Sequence, residues 1–219
     1  MDKTESDKSQ KRCGFVSVVG APNVGKSTLV NTLTGAKVSI TSPKAQTTRN
    51  RIRGIRIHED TQIILVDTPG IFNLTGKLNN ILNKSIVETA KNSLEGVDKI
   101  AVTIDSSKKL SENDRSLIAL VKELNQPKIL ILNKVDKIEK PMLLELSQKL
   151  NEMMDFEATF MVSALKRKGT EDILKYLSKN LPEGPYLYPE DEISDFPMRM
   201  LAAEVTREKL IFSLKEEIP

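Results

Sequence analysis

Gly20-Ala21-Pro22-Asn23-Val24-Gly25-Lys26-Ser27 decides the fold. It has the spacing G-x-x-x-x-G-K-[ST] and stands between the apolar, β-branched run Phe15–Val19 and the helical pattern Lys26–Leu33, which stops at Gly35. A strand before it and a helix after it make it a phosphate-binding loop rather than a chance glycine-rich turn. The backbone N–H groups of such a loop turn inward as an anion nest, and the helix N-terminus adds partial positive charge. Gly20 and Gly25 allow the turn and a close phosphate approach without a Cβ in the way. Lys26 is placed to reach the β- and γ-phosphates and the Ser27 hydroxyl to ligate Mg2+. Asn23, Val24 and Thr28 complete the expected nucleotide contacts on this loop.

Outward from the loop, strand and helix patterns alternate. Arg51–Ile57 and Gln62–Val66 read as two strands joined by the short polar His58–Thr61, an antiparallel hairpin. Leu78–Leu94 reads as a helix ending near Gly96. Lys99–Ile104 is a strand, and Ser111–Leu124 a helix with Ser111 and Asp114 in its cap region. Lys128–Leu132 (strand), Met142–Met153 (helix), Ala158–Val162 (strand) and Thr170–Asn180 (helix) follow. The alternation predicts an α/β fold: six strands, five parallel and Arg51–Ile57 antiparallel, with helices on both faces. The expected organisation is a disordered N-terminus over 1–12, a nucleotide-binding domain over 13–180, a proline-rich acidic linker over 181–197, and a further helical fragment over 198–219. The linker carries Pro182, Pro185, Pro189 and Pro197 and reads as extended and semi-rigid.

Three further stretches fall at strand ends. Asp67-Thr68-Pro69-Gly70 alone would serve as a simple turn; downstream of a phosphate loop, Asp67 can hold Mg2+ through water and the Gly70 N–H can sense the γ-phosphate. In Asn133-Lys134-Val135-Asp136, the Asp136 carboxylate can accept two hydrogen bonds from guanine, a pair that adenine does not offer. Asn133 can bridge the base and the phosphate loop, and the Lys134 stem can lie over the ring. Ser163-Ala164 can present the Ala164 N–H to the guanine carbonyl.

Those motifs, with Lys37-Val-Ser-Ile-Thr-Ser-Pro-Lys-Ala-Gln-Thr-Thr-Arg49, resemble the Era family of ribosome-assembly GTPases, P-loop G domains followed by an RNA-binding KH domain. The resemblance covers nearly the whole chain after Arg12. It implies GTP/GDP and Mg2+ as cofactors, Lys26, Thr48 and Gly70 as the catalytic set, and Ser27, Thr48 and Asp67 as the metal set. It also implies hydrolysis of GTP at a slow intrinsic rate, binding of small-subunit rRNA, and a role in small-subunit assembly. A monomer in the cytoplasm is expected, with peripheral association at the inner face of the cell membrane in some members. Arg207–Pro219 resembles the start of the KH domain, yet none of the ten glycines forms the G-x-x-G pair with which such a domain clamps a nucleic-acid backbone. The chain is therefore expected to contain that domain incomplete. Two other readings stay open: a nucleotide-regulated binding module with negligible turnover, and a related GTPase acting on tRNA modification or the large subunit.

Composition narrows the field from the other side. With 33 Lys+Arg, 30 Asp+Glu, one Cys and one His, the chain is neither uniformly basic nor able to form an internal disulfide or a Cys/His zinc site. Any serine–histidine chemistry would have to pass through His58. Residues 1–56 carry 11 basic and 3 acidic side chains, densest in Lys44, Arg49, Arg51, Arg53 and Arg56. That cluster either protects an edge strand or offers a surface for phosphate or RNA. Many GTPases place a glutamine after Asp-x-x-Gly to orient the attacking water; here the residue is Ile71. The Asn23 amide carbonyl is the candidate ligand for a potassium ion that would act instead, as in related GTPases with Pro-Asn-Val-Gly-Lys-Ser loops.

Overall fold

The computed structural model describes residues 11–39, 52–67 and 94–195, together with isolated helical positions between 199 and 209. The chain runs β1 (Arg12–Val19), α1 (Lys26–Thr34), β2 (Ile52–His58), β3 (Thr61–Asp67), β4 (Lys99–Asp105), α2 (Glu112–Lys122) and β5 (Lys128–Asn133). A single 3-10 turn (Val135–Lys137), α3 (Lys140–Met153), β6 (Ala158–Val162) and α4 (Thr170–Asn180) complete the described elements. The strands form one sheet in the order β2-β3-β1-β4-β5-β6. Only β2 and β3 are antiparallel, with Ile52 opposite Asp67 and His58 opposite Thr61. The expected helix over 78–94 lies outside the described residues up to 93.

Continuous apolar runs make this sheet because both of its faces are covered. On β5, Ile129 and Ile131 pack with Leu29 and Leu33 of α1 and Ile173 and Leu177 of α4. Leu130 and Leu132, one residue out of phase, pack with Leu117 and Val121 of α2 and Leu150 of α3. Burying each such side chain stabilises the fold by about 1.5–3 kcal/mol. At the start of α2, Ser111 Oγ accepts from the Asp114 N–H at 3.2 Å and the Ser111 N–H donates to Asp114 Oδ2 at 2.9 Å, a reciprocal cap. α3 starts at Lys140, two residues before the expected Met142, since Pro141 in a first turn has no N–H to leave unpaired.

After α4 the chain folds back on the sheet. Leu181 is buried in the core. The Cys13 N–H donates to the Pro182 carbonyl at 3.1 Å and the Gly184 N–H to the Lys11 carbonyl at 3.0 Å. Gln62, fully buried inside β3, then grips the segment from both sides: Oε1 accepts from the N–H groups of Leu187 (2.9 Å) and Tyr188 (3.0 Å), and Nε2 donates to the Tyr188 carbonyl at 2.8 Å. Further on, the Ile55 N–H donates to the Ile193 carbonyl at 2.9 Å and Gly54 bridges Ser194 antiparallel. Residues 193–195 thus cover the outer edge of β2, where unpaired peptide groups would otherwise face solvent. Among the described residues, no helix is long and apolar enough to cross a membrane.

Candidate functional site

The described site residues fall at the carboxyl ends of β1, β3, β5 and β6, the edge at which open α/β sheets bind ligands. The phosphate loop bends tightly against β4. A Cβ on Gly20 would lie 2.5 Å from the Thr103 carbonyl oxygen. Gly25, at φ 100, adopts a left-handed conformation, and a Cβ there would lie 2.4 Å from Asn133 Nδ2. Asn23 also has a left-handed φ, 64. Lys26 Nζ donates to the carbonyls of Gly20 and Ala21, both at 2.9 Å. Burial pulls the Lys26 amine below its ordinary pKa, and the Asp67 charge partly restores it. A half-buried cation held, among the described residues, by neutral carbonyls at short range is the chemistry for an anion that brings its own charge.

Ser27 Oγ donates to Asp67 Oδ2 at 2.9 Å. With its proton given to the carboxylate, the hydroxyl presents its oxygen as a ligand type that a hard cation accepts. Hydroxyl plus carboxylate oxygen is a donor set that suits Mg2+, which takes one or two protein groups and completes its shell with phosphate and water. The described residues contain no cluster of three or more His, Cys, Asp or Glu suited to holding a metal. Thr48 and Gly70, expected beside this pair, and Ile71 lie outside the described residues.

At the base end, buried Asn133 joins three segments. Its Nδ2 donates to the Val24 carbonyl at 2.9 Å, and its Oδ1 accepts from the Lys134 N–H at 2.8 Å and the Ala164 N–H at 3.0 Å. Lys134 Nζ reaches the Asn23 carbonyl and Asp105 Oδ2, each at 2.6 Å. Asp105 is in turn fixed by Ser107, through its N–H at 3.1 Å and its hydroxyl at 2.6 Å. Burial raises the Asp105 pKa, but Lys134 and Ser107 outweigh it and hold the carboxyl below the usual range. Asp136 is kept ionised chiefly by the Ser163 hydroxyl and also by Lys166, 3.4 Å away. Beside these loops an open groove of about 340 Å³ is lined by Thr28, Thr32, Ala36, Lys37, Ala164 and Leu165, among others.

Three contributors are given no role by the motifs. Asp105 positions Lys134, while Asn31 and Ser39 build on the Mg2+ side of the site: Ser39 Oγ donates to Asp67 Oδ2 at 2.8 Å. A carboxylate at the end of β4, the strand flanking the phosphate loop, was the one available signal. His58, by contrast, is far from nucleotide chemistry. Its Nδ1 meets Ser178 Oγ at 2.9 Å and its Nε2 meets Glu171 at 2.9 Å. Ser178 Oγ donates to the His58 carbonyl at 3.1 Å, so its proton is not offered to the imidazole and the row is a strut between β2 and α4, not a hydrolytic triad. Of the basic cluster, Arg53 is paired with Asp195 at 3.2 Å and the Tyr188 hydroxyl at 3.0 Å, and Arg56 lies against Gly35. Arg53 serves the sheet edge, and Arg56 is exposed; Lys44, Arg49 and Arg51 lie outside the described residues.

Comparison with known proteins agrees with this geometry. The model for the 50S ribosome-binding GTPase family matches residues 15–134. GTPase Era of Brucella suis biovar 1 (strain 1330) is 51% identical over 215 residues, which cover 98% of this chain and 68% of that protein. Among solved structures, Aquifex aeolicus Era bound to GDP and aluminium tetrafluoride superposes with a TM-score of 0.82 at 43% identity, covering 95% of this chain and 70% of that one. Era in complex with MgGDPNP and nucleotides 1506–1542 of 16S ribosomal RNA gives the same TM-score of 0.82 and 43% identity, again covering 95% and 70%. The chain thus spans about two thirds of the length of the curated relatives it matches, the first at 68%.

Proposed function

The chain belongs to the Era GTPase family, and on that premise we propose that the residues described above run a GTP-binding and GTP-hydrolysing switch. It binds GTP and GDP with Mg2+ and hydrolyses GTP to GDP and phosphate. In this reading Lys26 exchanges the carbonyls of Gly20 and Ala21 for β/γ-phosphate oxygens, and Ser27 turns its lone pairs to Mg2+ while Asp67 holds the ion's water. Thr48 and Gly70 complete the γ-phosphate contacts. Asp136 reads the guanine ring N–H and amine, the Lys134 stem covers the ring, and Ser163 and Ala164 close the base pocket. The observation that carries this reading is Asn133, whose one buried amide ties the phosphate loop at Val24 to the base-reading backbone at Lys134 and Ala164.

The switch acts on the small ribosomal subunit through its rRNA, in the cytoplasm, with peripheral contact at the inner membrane face. A G-x-x-G pair is absent from these 219 residues, so this stretch alone binds the rRNA 3′ end weakly and with steep salt dependence. The test of the site is base choice. Asp136→Asn exchanges an acceptor pair for one acceptor and one donor. GTP affinity is expected to fall on the order of 10²-fold or more, with xanthosine triphosphate bound in its place. Unchanged GTP affinity in a titration with fluorescent nucleotide would remove Asp136 from base recognition and the reading with it.

A further inference from the structure

Asp67 Oδ2 receives two hydroxyl protons, from Ser27 at 2.9 Å and from Ser39 at 2.8 Å. Ser27 belongs to the phosphate loop, but Ser39 sits past the end of α1, in a stretch with no regular secondary structure of its own. Even so, Ser39 is almost fully buried. Asn31 puts it there. Asn31 Oδ1 accepts from the N–H groups of Val38 and Ser39, both at 2.9 Å, and Nδ2 donates to the Ser39 carbonyl at 2.7 Å. The Asn31 carbonyl also caps α1 by accepting from the Gly35 N–H at 3.0 Å. A single side chain thus satisfies three peptide groups of an irregular segment and fixes its path back to the sheet.

We propose that Asn31 and Ser39 are positioning residues for the Mg2+ of the GTPase site: Asn31 holds the 38–39 backbone, and the Ser39 hydroxyl fixes the Asp67 carboxylate that must orient the ion's water. The physical need is plain. A carboxylate that acts on a metal through water has to present one oxygen in one direction, and a free rotor about its χ2 would not. The Ser27 hydroxyl alone cannot set that direction, since Ser27 must also adjust to the ion. Ser39 has no such duty, because all its other hydrogen-bonding groups named above are taken by Asn31. Partners of this kind, one step removed from a metal, commonly carry 10–100-fold of its affinity, so an effect on the order of tenfold is expected from losing one.

The proposal rests on the GTPase reading, and the experiment separates the two. GDP binding to the full chain is titrated with fluorescent GDP, once in EDTA and then against rising Mg2+. Wild-type protein that fails to bind GDP in both series overturns the GTPase reading itself. Given binding, Ser39→Ala raises the Mg2+ needed for half-maximal effect on the order of tenfold, while GDP affinity in EDTA stays that of the wild type. Ser39→Thr, which keeps a hydroxyl, restores the wild-type Mg2+ midpoint. Asn31→Ala shifts the midpoint in the same direction, and the double variant is no worse than the worse single one, because both act through the same hydroxyl. A wild-type midpoint in Ser39→Ala overturns the proposal. So does a loss of GDP affinity equal in EDTA and Mg2+, which would mark a purely structural serine. Should Ser39→Ala not fold, a shifted midpoint in folded Ser39→Thr overturns it instead, since packing rather than the hydroxyl would then be what matters.

Discussion

The phosphate-binding lysine bonds over a short stretch of chain, whereas the base-end residues Asn133 and Lys134 bond across the sheet. Lys26 Nζ turns back on carbonyls six and five residues away. Asn133, by contrast, reaches Val24 across 109 residues, and Lys134 reaches Asn23 across 111. In the proposed reading an incoming triphosphate takes Lys26 from the carbonyls of Gly20 and Ala21. The Asn133 bond to the Val24 carbonyl uses no group assigned to the base, so it persists when guanine arrives, whereas the Ala164 N–H assigned to the guanine carbonyl is held by Asn133 Oδ1. The tie between the base end and the phosphate loop is thus pre-organised, and ligand does not spend binding energy ordering it. The phosphate end trades partners, which suits a site whose occupant changes from triphosphate to diphosphate.

The contrast can be broken at either end. The largest effect is expected at the exchanging end. Lys26→Ala removes the charge that moves from carbonyls to phosphate, and GTP turnover under saturating nucleotide should fall by about 10³, the upper range for one positioned charge stabiliser. A single-turnover phosphate-release assay measures it. Loss of only GDP affinity, with turnover intact, would place Lys26 in ground-state binding alone. A smaller effect concerns the missing glutamine at Ile71. Replacing sodium by potassium should raise intrinsic turnover by about 10², the lower end of that range, and Asn23→Ala should abolish the rise. Equal turnover in both salts, with Ile71→Gln accelerating hydrolysis, assigns the deficit to the glutamine alone.

The smallest effect is at the pre-organised end. Asp105→Asn keeps the shape but loses the ion pair with Lys134. Hydrogen bonds to charged groups contribute about 1.5–3 kcal/mol, and the amide retains part of that, so guanine nucleotide affinity should drop about tenfold. The same variant tests a pH dependence. The Asp105 carboxyl titrates below its usual range in the folded chain. Its contribution to stability is therefore complete above the unfolded carboxylate value and is lost as pH falls through the lower folded value. Thermal melting of the wild type should decline across that acid window more steeply than melting of Asp105→Asn. Parallel curves would mean that the Asp105–Lys134 pair adds no net stability.

Most of the framework is readable from residue order because each strand is a β-branched run and each turn is punctuated. Thr170–Asn180 needs no structure to bound it, since Gly169 and Leu181-Pro182 set its limits. The phosphate and base loops are readable for another reason: their chemistry demands fixed residue types at fixed spacing. Asn31 and Ser39 are not. Asn31 stands in the last turns of a helix with no pattern around it, and Ser39, although inside the Lys37–Arg49 stretch, is given no role by it; only the fold brings Asn31 to the 38–39 backbone and Ser39 to Asp67. The docking of 181–195 is equally hidden in its prolines. The available hint was elsewhere, in Gln62, an amide inside the strand Thr61–Asp67 that has to find partners once buried.

The strap on the sheet edge also has a mechanical meaning. Because 193–195 lie antiparallel on β2, tension applied beyond residue 195 opens their bonds in series, from Asp195–Arg53 inward to Ile193–Ile55. Bonds loaded one at a time yield at low force. The peeling then arrives at Gln62, which holds Leu187 and Tyr188 with three bonds loaded together. The segment behaves as a short zipper backed by a cleat: residues beyond Tyr188 can be paid out from β2 without tension reaching α4, and Gln62 marks where the slack ends.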